Sequence, residues 1–198
     1  MATPVFEPLQ TRLLLLCRGA VDWTRSGAEG PPLSAQGLLD AELAASTLPR
    51  FDAIVASPQR ASQETAEAIS AIRQVPLTWR DGLDEIRTSS VLATAQDYAD
   101  WLDRLFESYH LSAEGESLAE GADRLRAALR ATADRYYGRT TLVVGHPVIL
   151  LAFRASLLNT LATREQVETL PDLSLLVVDY AEGRFYLVSD FPVRQPTD

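Results

Sequence analysis

The stretch LLLLCRGAVDW, Leu13–Trp23, decides how the rest of the chain is read. Leu13–Cys17 is a short, unbroken apolar run, the pattern of a strand covered on both faces rather than of one with a wet side. Gly19 follows at once, and from there to Pro32 the chain is rich in Gly, Pro, Ser and charge, as a long loop is. The strand therefore empties into a loop that begins with a basic side chain, Arg18. Open α/β sheets collect ligands outside the carboxyl ends of their strands, so Arg18 stands where a site belongs.

Working outward, the same alternation repeats. Ser34 caps a helix whose apolar side is Leu38, Leu39, Leu43 and Leu48. FDAIVA, Phe51–Ala56, is a second buried strand. Ser57-Pro58 then reads as a helix start, serine as the cap and proline in the first turn, with the helix running to about Ile72 and Ala61, Thr65, Ala68 and Ile69 inward. Val75–Trp79 is a third strand. Asp81 to Ser117 is irregular apart from a helix around Ala95–Tyr109. Ser117 with Glu120 three residues later forms a capping box for a helix to about Tyr137. TTLVVG, Thr140–Gly145, is another buried strand, ended by His146 and followed by a helix, Val148–Leu158. LSLLVVDY and RFYLVSDF, joined around Ala181-Glu182-Gly183, make a closing hairpin. Strands alternating with helices predict a three-layer α/β/α sandwich with a mostly parallel sheet. No repeat or linker divides it, and residues 1–198 read as one domain.

Composition narrows the function. A hydrophobic share of 46% and a charged share of 23% suit a soluble chain with a packed core. A net charge of −9 argues against a broad nucleic-acid surface, which needs clustered cations to displace counterions. All 18 basic residues are arginine. Cys17 is the single cysteine, so neither an intramolecular disulfide nor a cysteine-based zinc cluster is expected. Four leucines behind Arg12 are too few for a signal core, and no apolar run approaches a membrane span, so a cytoplasmic protein without a membrane partner is expected.

Three strand ends carry chemistry: Cys17-Arg18-Gly19, Ser57-Pro58-Gln59-Arg60 and Gly145-His146. Two guanidiniums and an imidazole at one sheet edge, with helix N-termini beside them, form an anion site. Together these landmarks make the chain resemble the histidine phosphatase superfamily, the phosphoglycerate-mutase-like proteins, over roughly residues 12–190. The family's Arg-His-Gly-Glu strand end is similar to Cys17-Arg18-Gly19-Ala20, and its Pro-Leu-Thr helix start to Pro32-Leu33-Ser34 through Gly37. Its Ser-Ser-Pro-x-Arg segment resembles Ala56–Ala66, with one extra residue between Gln63 and Thr65. Leu83-Asp84-Glu85, Gly115-Glu116-Ser117-Leu118 and Val143–Pro147 match its remaining landmarks.

The resemblance implies a chemistry that this chain alters. In the family the first histidine attacks phosphorus, two arginines and a second histidine hold the phosphoryl oxygens, and an acid protonates the leaving group. By position Arg60, His146 and Glu85 are kept, while Arg18 stands at the nucleophile, Cys17 at the first arginine and Ala20 at the glutamate after the glycine. The turn after Glu85 is replaced by Arg87–Ser90. A guanidinium stays protonated and has no free lone pair, so covalent catalysis is closed at position 18. Its charge remains, and Arg18 and Arg60 can still grip an oxyanion.

Cys17 is no obvious substitute, because successive strand residues face opposite ways and Arg18 is expected in the pocket. His110 reads as a surface residue of an insertion, about 86–116, that forms a lid and carries Trp101, Phe106 and Tyr109. Two readings follow. One is a catalytically degenerate protein that binds a phosphorylated or other anionic small molecule through Arg18, Gly19, Arg60 and His146. The other is a slow phosphomonoesterase in which His146 and Glu85 activate water on a phosphate held by Arg18 and Arg60. Neither requires a metal or cofactor.

Overall fold

The computed structural model describes residues 10–27, 29–107 and 115–192. Its elements are β1 (Thr11–Cys17), α1 (Ala35–Thr47), β2 (Ala53–Ala56), α2 (Arg60–Arg73), β3 (Leu77–Trp79), α3 (Ala95–Glu107), α4 (Leu118–Arg135), β4 (Thr140–Gly145), α5 (Pro147–Leu158), α6 (Arg164–Thr169), β5 (Leu175–Ala181) and β6 (Arg184–Ser189). The six strands lie in the order β3-β2-β4-β1-β5-β6. The first four run parallel, and β5 and β6 add an antiparallel hairpin beside β1. That hairpin turns through Glu182 and Gly183, both left-handed at φ 51° and 77°, as a two-residue turn matched to strand twist requires.

The apolar run of β1 is buried on both faces because each face has its own layer. Leu13, Leu15 and Cys17 pack with α4 and α5; Leu14 and Leu16 pack with α1 and α2. The expected α/β/α sandwich is the observed one. No helix among the described residues is long and apolar enough to cross a membrane.

Several local expectations are corrected. Ser34 does cap α1, accepting from the Gly37 N–H at 2.9 Å. Yet Leu38, Leu39 and Leu43 point to solvent, at 42%, 57% and 67% exposure, and the buried face is Gly37, Ala41 and Ala45. At its first turn α1 lies against backbone: a Cβ on Gly37 would sit 2.2 Å from the Ala20 carbonyl oxygen. Helix α2 begins at Arg60 rather than at Ser57-Pro58, with Ala66 buried and Ala68 only partly so. Strand β2 starts at Ala53, β3 at Leu77, and α6 is an additional short helix. The capping box of α4 is present, with Ser117 and Glu120 exchanging hydrogen bonds. His110 and Tyr109 lie outside the described residues.

Candidate active site

Parallel pairing of β1 with β4 sets Cys17 opposite Gly145, so Arg18 and His146 emerge side by side from adjacent strand ends. The Arg18 N–H donates to the Gly145 carbonyl at 2.9 Å, and the Ser57 N–H to Val144 at 3.0 Å, which locks the three strand ends together.

His146 is buried. Its Nε2 lies 3.0 Å from Ser62 Oγ and 3.1 Å from Ser57 Oγ. Ser57 Oγ donates to Asp84 Oδ1 at 2.9 Å, and Ser62 Oγ points its proton at the Gly145 carbonyl, 3.3 Å away. With both hydroxyl protons directed elsewhere, the tautomer that satisfies the contacts carries its proton on Nε2 and donates to the serines. Burial, followed by the charges of Arg18 and Arg124, holds the imidazole pKa well below its ordinary value. His146 is therefore neutral at pH 7.

Glu85 lies beside it, half-buried. Oε1 accepts from the N–H groups of Ile86 (2.9 Å) and Ile149 (2.8 Å), and Oε2 from Val148 (3.1 Å). Pro147 opens α5 without an N–H, so this carboxylate takes the first free donors of that helix. Burial raises its pKa, opposed by the three N–H bonds and the charge of Arg18. Arg124, from α4, supports the same loop. Its Nη1 donates to the carbonyls of Gly82 and Asp84, its Nη2 to that of Glu85, and Nε with Nη2 grips Glu116 at 2.7 and 2.6 Å.

The side chain of Arg18 is only 12% exposed; its Nη1 donates to the Gly19 carbonyl at 2.9 Å and approaches Asp172 at 3.9 Å. Gly19 is held by packing: its N–H donates to Thr65 Oγ1 at 3.1 Å, and a Cβ there would lie 2.9 Å from the Gly37 carbonyl oxygen. Cys17 faces the α4/α5 core, and burial pushes its thiol pKa far up, so it is no thiolate.

Arg60 is placed differently. Its Nε donates to Glu64 Oε1 at 3.0 Å, and Glu64 Oε2 accepts from the Leu33 N–H at 2.6 Å. Helix α2 is continuous, so the extra residue ahead of Thr65 is absorbed as a rotation of about 100°. Ala61, Ser62 and Thr65 turn inward, and Ser62 rather than Arg60 meets His146. The structure thus joins Arg18, Glu85 and His146 and sets Arg60 against Glu64.

Four participants escaped the sequence reading: Ser57 and Ser62 on His146, Asp84 behind Ser57, and Arg124 under the Glu85 loop. Ser57 was expected only as a helix cap, and its bond from the Gln59 N–H at 3.2 Å shows why that signal existed. Tyr98 lies on α3, its ring between Trp23 (centroids 5.2 Å apart) and Trp101 (5.3 Å). Its hydroxyl is fully covered and has no hydrogen-bond partner among the described residues. Within those residues, no three His, Cys, Asp or Glu side chains gather closely enough to hold a metal ion.

Chemically, the arrangement offers a fixed positive charge, a neutral imidazole and a carboxyl group inclined to keep its proton. Solved structures of similar fold come from diverse organisms. The Entamoeba histolytica phosphoserine phosphatase in complex with 3-phosphoglyceric acid superposes with a TM-score of 0.75 at 19% identity, over 93% of this chain and 98% of that one. Bacillus stearothermophilus YhfR gives 0.73 at 23% identity, over 89% and 95%. The mycobacterial glucosyl-3-phosphoglycerate phosphatase gives 0.70 at 22% identity, over 90% and 97%. No curated protein matches the sequence. The sequence pattern of the histidine phosphatase superfamily, branch 1, matches residues 13–190, from the first core strand to the end of the hairpin; this chain belongs to that superfamily.

Proposed function

We propose that this protein is a degenerate histidine phosphatase that binds a small phosphorylated or otherwise anionic molecule beside Arg18 and does not proceed through phosphohistidine. The observation that carries this reading is Arg18 at the mouth of β1, where its family's nucleophile belongs. A guanidinium attracts an oxyanion but has no lone pair with which to attack phosphorus. Supporting it, Arg18 is largely covered, so its charge is screened less by solvent than that of a surface arginine. Structures similar in fold hold phosphoserine, 3-phosphoglyceric acid and inorganic phosphate, which makes small phosphates the first ligands to try. Arg60, though paired with Glu64, enters this reading as a second cation that an incoming anion can recruit.

The test is thermal melting with graded inorganic phosphate, 3-phosphoglycerate and phosphoserine. Ligand that binds only the folded state raises the melting temperature with its concentration. A dose-dependent rise that vanishes in Arg18→Ala supports the reading; no rise with any of the three overturns it. Installing Cys17→Arg together with Arg18→His is expected to create a phosphorylatable histidine.

A specific observation also favours a second reading, a slow phosphomonoesterase. The Glu85 pKa is raised by burial and His146 is neutral, shifts in the direction that suits an acid and a base. In that case His146 accepts a proton from water as it attacks phosphorus, and Glu85 protonates the departing alkoxide. Single-turnover hydrolysis of p-nitrophenyl phosphate that is lost in His146→Ala would favour it over the binder.

A further inference from the structure

We propose that Tyr98 is a ligand-contact residue, its hydroxyl donating a hydrogen bond to an oxygen of an oxyanion held beside Arg18. This deepens the reading above and rests on it. The starting point is the covered Tyr98 hydroxyl that finds no partner among the described residues. Buried polar groups are almost always satisfied, so an exception calls for a physical reason. Packing does not supply one. The ring fills the space between Trp23 and Trp101, and phenylalanine would fill it equally without leaving a polar atom unpaired.

The surroundings say what is missing. The hydroxyl lies within electrostatic reach of Glu85, Arg18, Cys17 and Asp172. Burial, then the charge of Glu85, raises the phenol pKa, so the group keeps its proton and serves as a donor. Arg18 offers only donors and Cys17 is a covered thiol. Glu85 directs its oxygens to the N–H groups of Ile86, Val148 and Ile149. A phenol donor without a partner thus lies near a guanidinium whose Nη1 already donates to the Gly19 carbonyl, and a ligand that reaches both is an acceptor with two or more oxygens and negative charge. A phosphate monoester or a carboxylate has that chemistry. We read α3 as a lid, and Tyr98 ties it to the ligand while the Trp23 stack ties it to the loop that follows Arg18.

The experiment compares the full chain with Tyr98→Phe and Arg18→Ala, using inorganic phosphate and 3-phosphoglycerate in calorimetry and thermal melting. Without ligand, Tyr98→Phe is expected to melt at or slightly above the wild-type temperature, since it removes an unsatisfied hydroxyl. Its phosphate affinity is expected to fall about tenfold, the scale of one hydrogen bond to a charged acceptor. Binding that is lost in Arg18→Ala but unchanged in Tyr98→Phe overturns this inference and leaves the anion site standing. Unliganded Tyr98→Phe melting well below wild type also overturns it, because the hydroxyl then has a structural partner. A wild-type chain that binds neither probe sinks both this inference and the function it rests on.

Discussion

Arg18 and His146 leave neighbouring strands of the same sheet, and the fixed charge of the first bears on the protonation of the second. The fixed cation, together with burial, keeps the imidazole unprotonated. A histidine with a folded pKa below its unfolded value of about 6.5 contributes stability that is present above pH 6.5 and is lost as pH falls through the folded pKa. The His146 contribution is therefore expected to fall below pH 6.5 with a slope of up to about 1.4 kcal/mol per pH unit, opposed at the acid end by the proton that Glu85, with its raised pKa, keeps in the folded chain. His146→Gln, which retains a donor toward Ser57 and Ser62, is expected to flatten that slope; urea midpoints between pH 4.5 and 7.5 measure it. Cys17 offers a second check at this scale. Its thiol is buried and protonated, so iodoacetamide is expected to leave the native chain unlabelled by mass spectrometry and to label it once guanidinium unfolds it.

Among the elements, α1 shows how an apolar pattern misleads. Its leucines suggest an inward stripe, but the helix docks with Gly37, Ala41 and Ala45, and at position 37 even a Cβ would meet the Ala20 backbone. Gly37→Ala improves helix propensity by about 1 kcal/mol. The new methyl nevertheless meets a carbonyl oxygen that cannot rotate aside, and a net loss of about 2 kcal/mol is expected. Leu43→Gln is expected to change stability by less than about 0.5 kcal/mol, as exposed substitutions do. Thermal or chemical denaturation of the two variants separates the alternatives. The cap of α4 was legible in advance for the opposite reason: a capping box is local, made by two residues of one turn, and no neighbour rearranges it. Ser117→Ala is expected to cost about 1 kcal/mol.

On the scale of the molecule, Arg124 joins pieces of chain far apart in sequence. It reaches from α4 to the carbonyls of the 82–85 loop and to Glu116, so one side chain sets both the Glu85 carboxyl and the start of α4. Arg124→Met keeps the stem but strands the Glu116 charge and releases the loop. A loss of about 3 kcal/mol is expected, the scale of breaking a covered ion pair from one side. Anion affinity should fall with it, because Glu85 and Asp84 lose their placement; denaturant titration and calorimetry read the two effects separately.

The sheet, its parallel core and closing hairpin, and the residues at the strand ends were all legible in the sequence. Unbroken apolar runs, short turns and caps are set by neighbours within a few positions, and the landmarks occur in their family order. Chemistry at position 18 was legible too, since an arginine lacks a nucleophilic lone pair in any fold. What only tertiary structure decided is who meets whom beyond the strand ends. The phase of α2 turns Ser62 to His146 and leaves Arg60 with Glu64 of its own helix, the loop before α3 turns Glu85 to the N–H groups of α5, and α3 sets Tyr98 between Trp23 and Trp101. A helix rotates by about 100° per residue, so a shift of one position exchanges the side chain that reaches the site. That choice is made by packing between elements distant in sequence, and no local pattern records it.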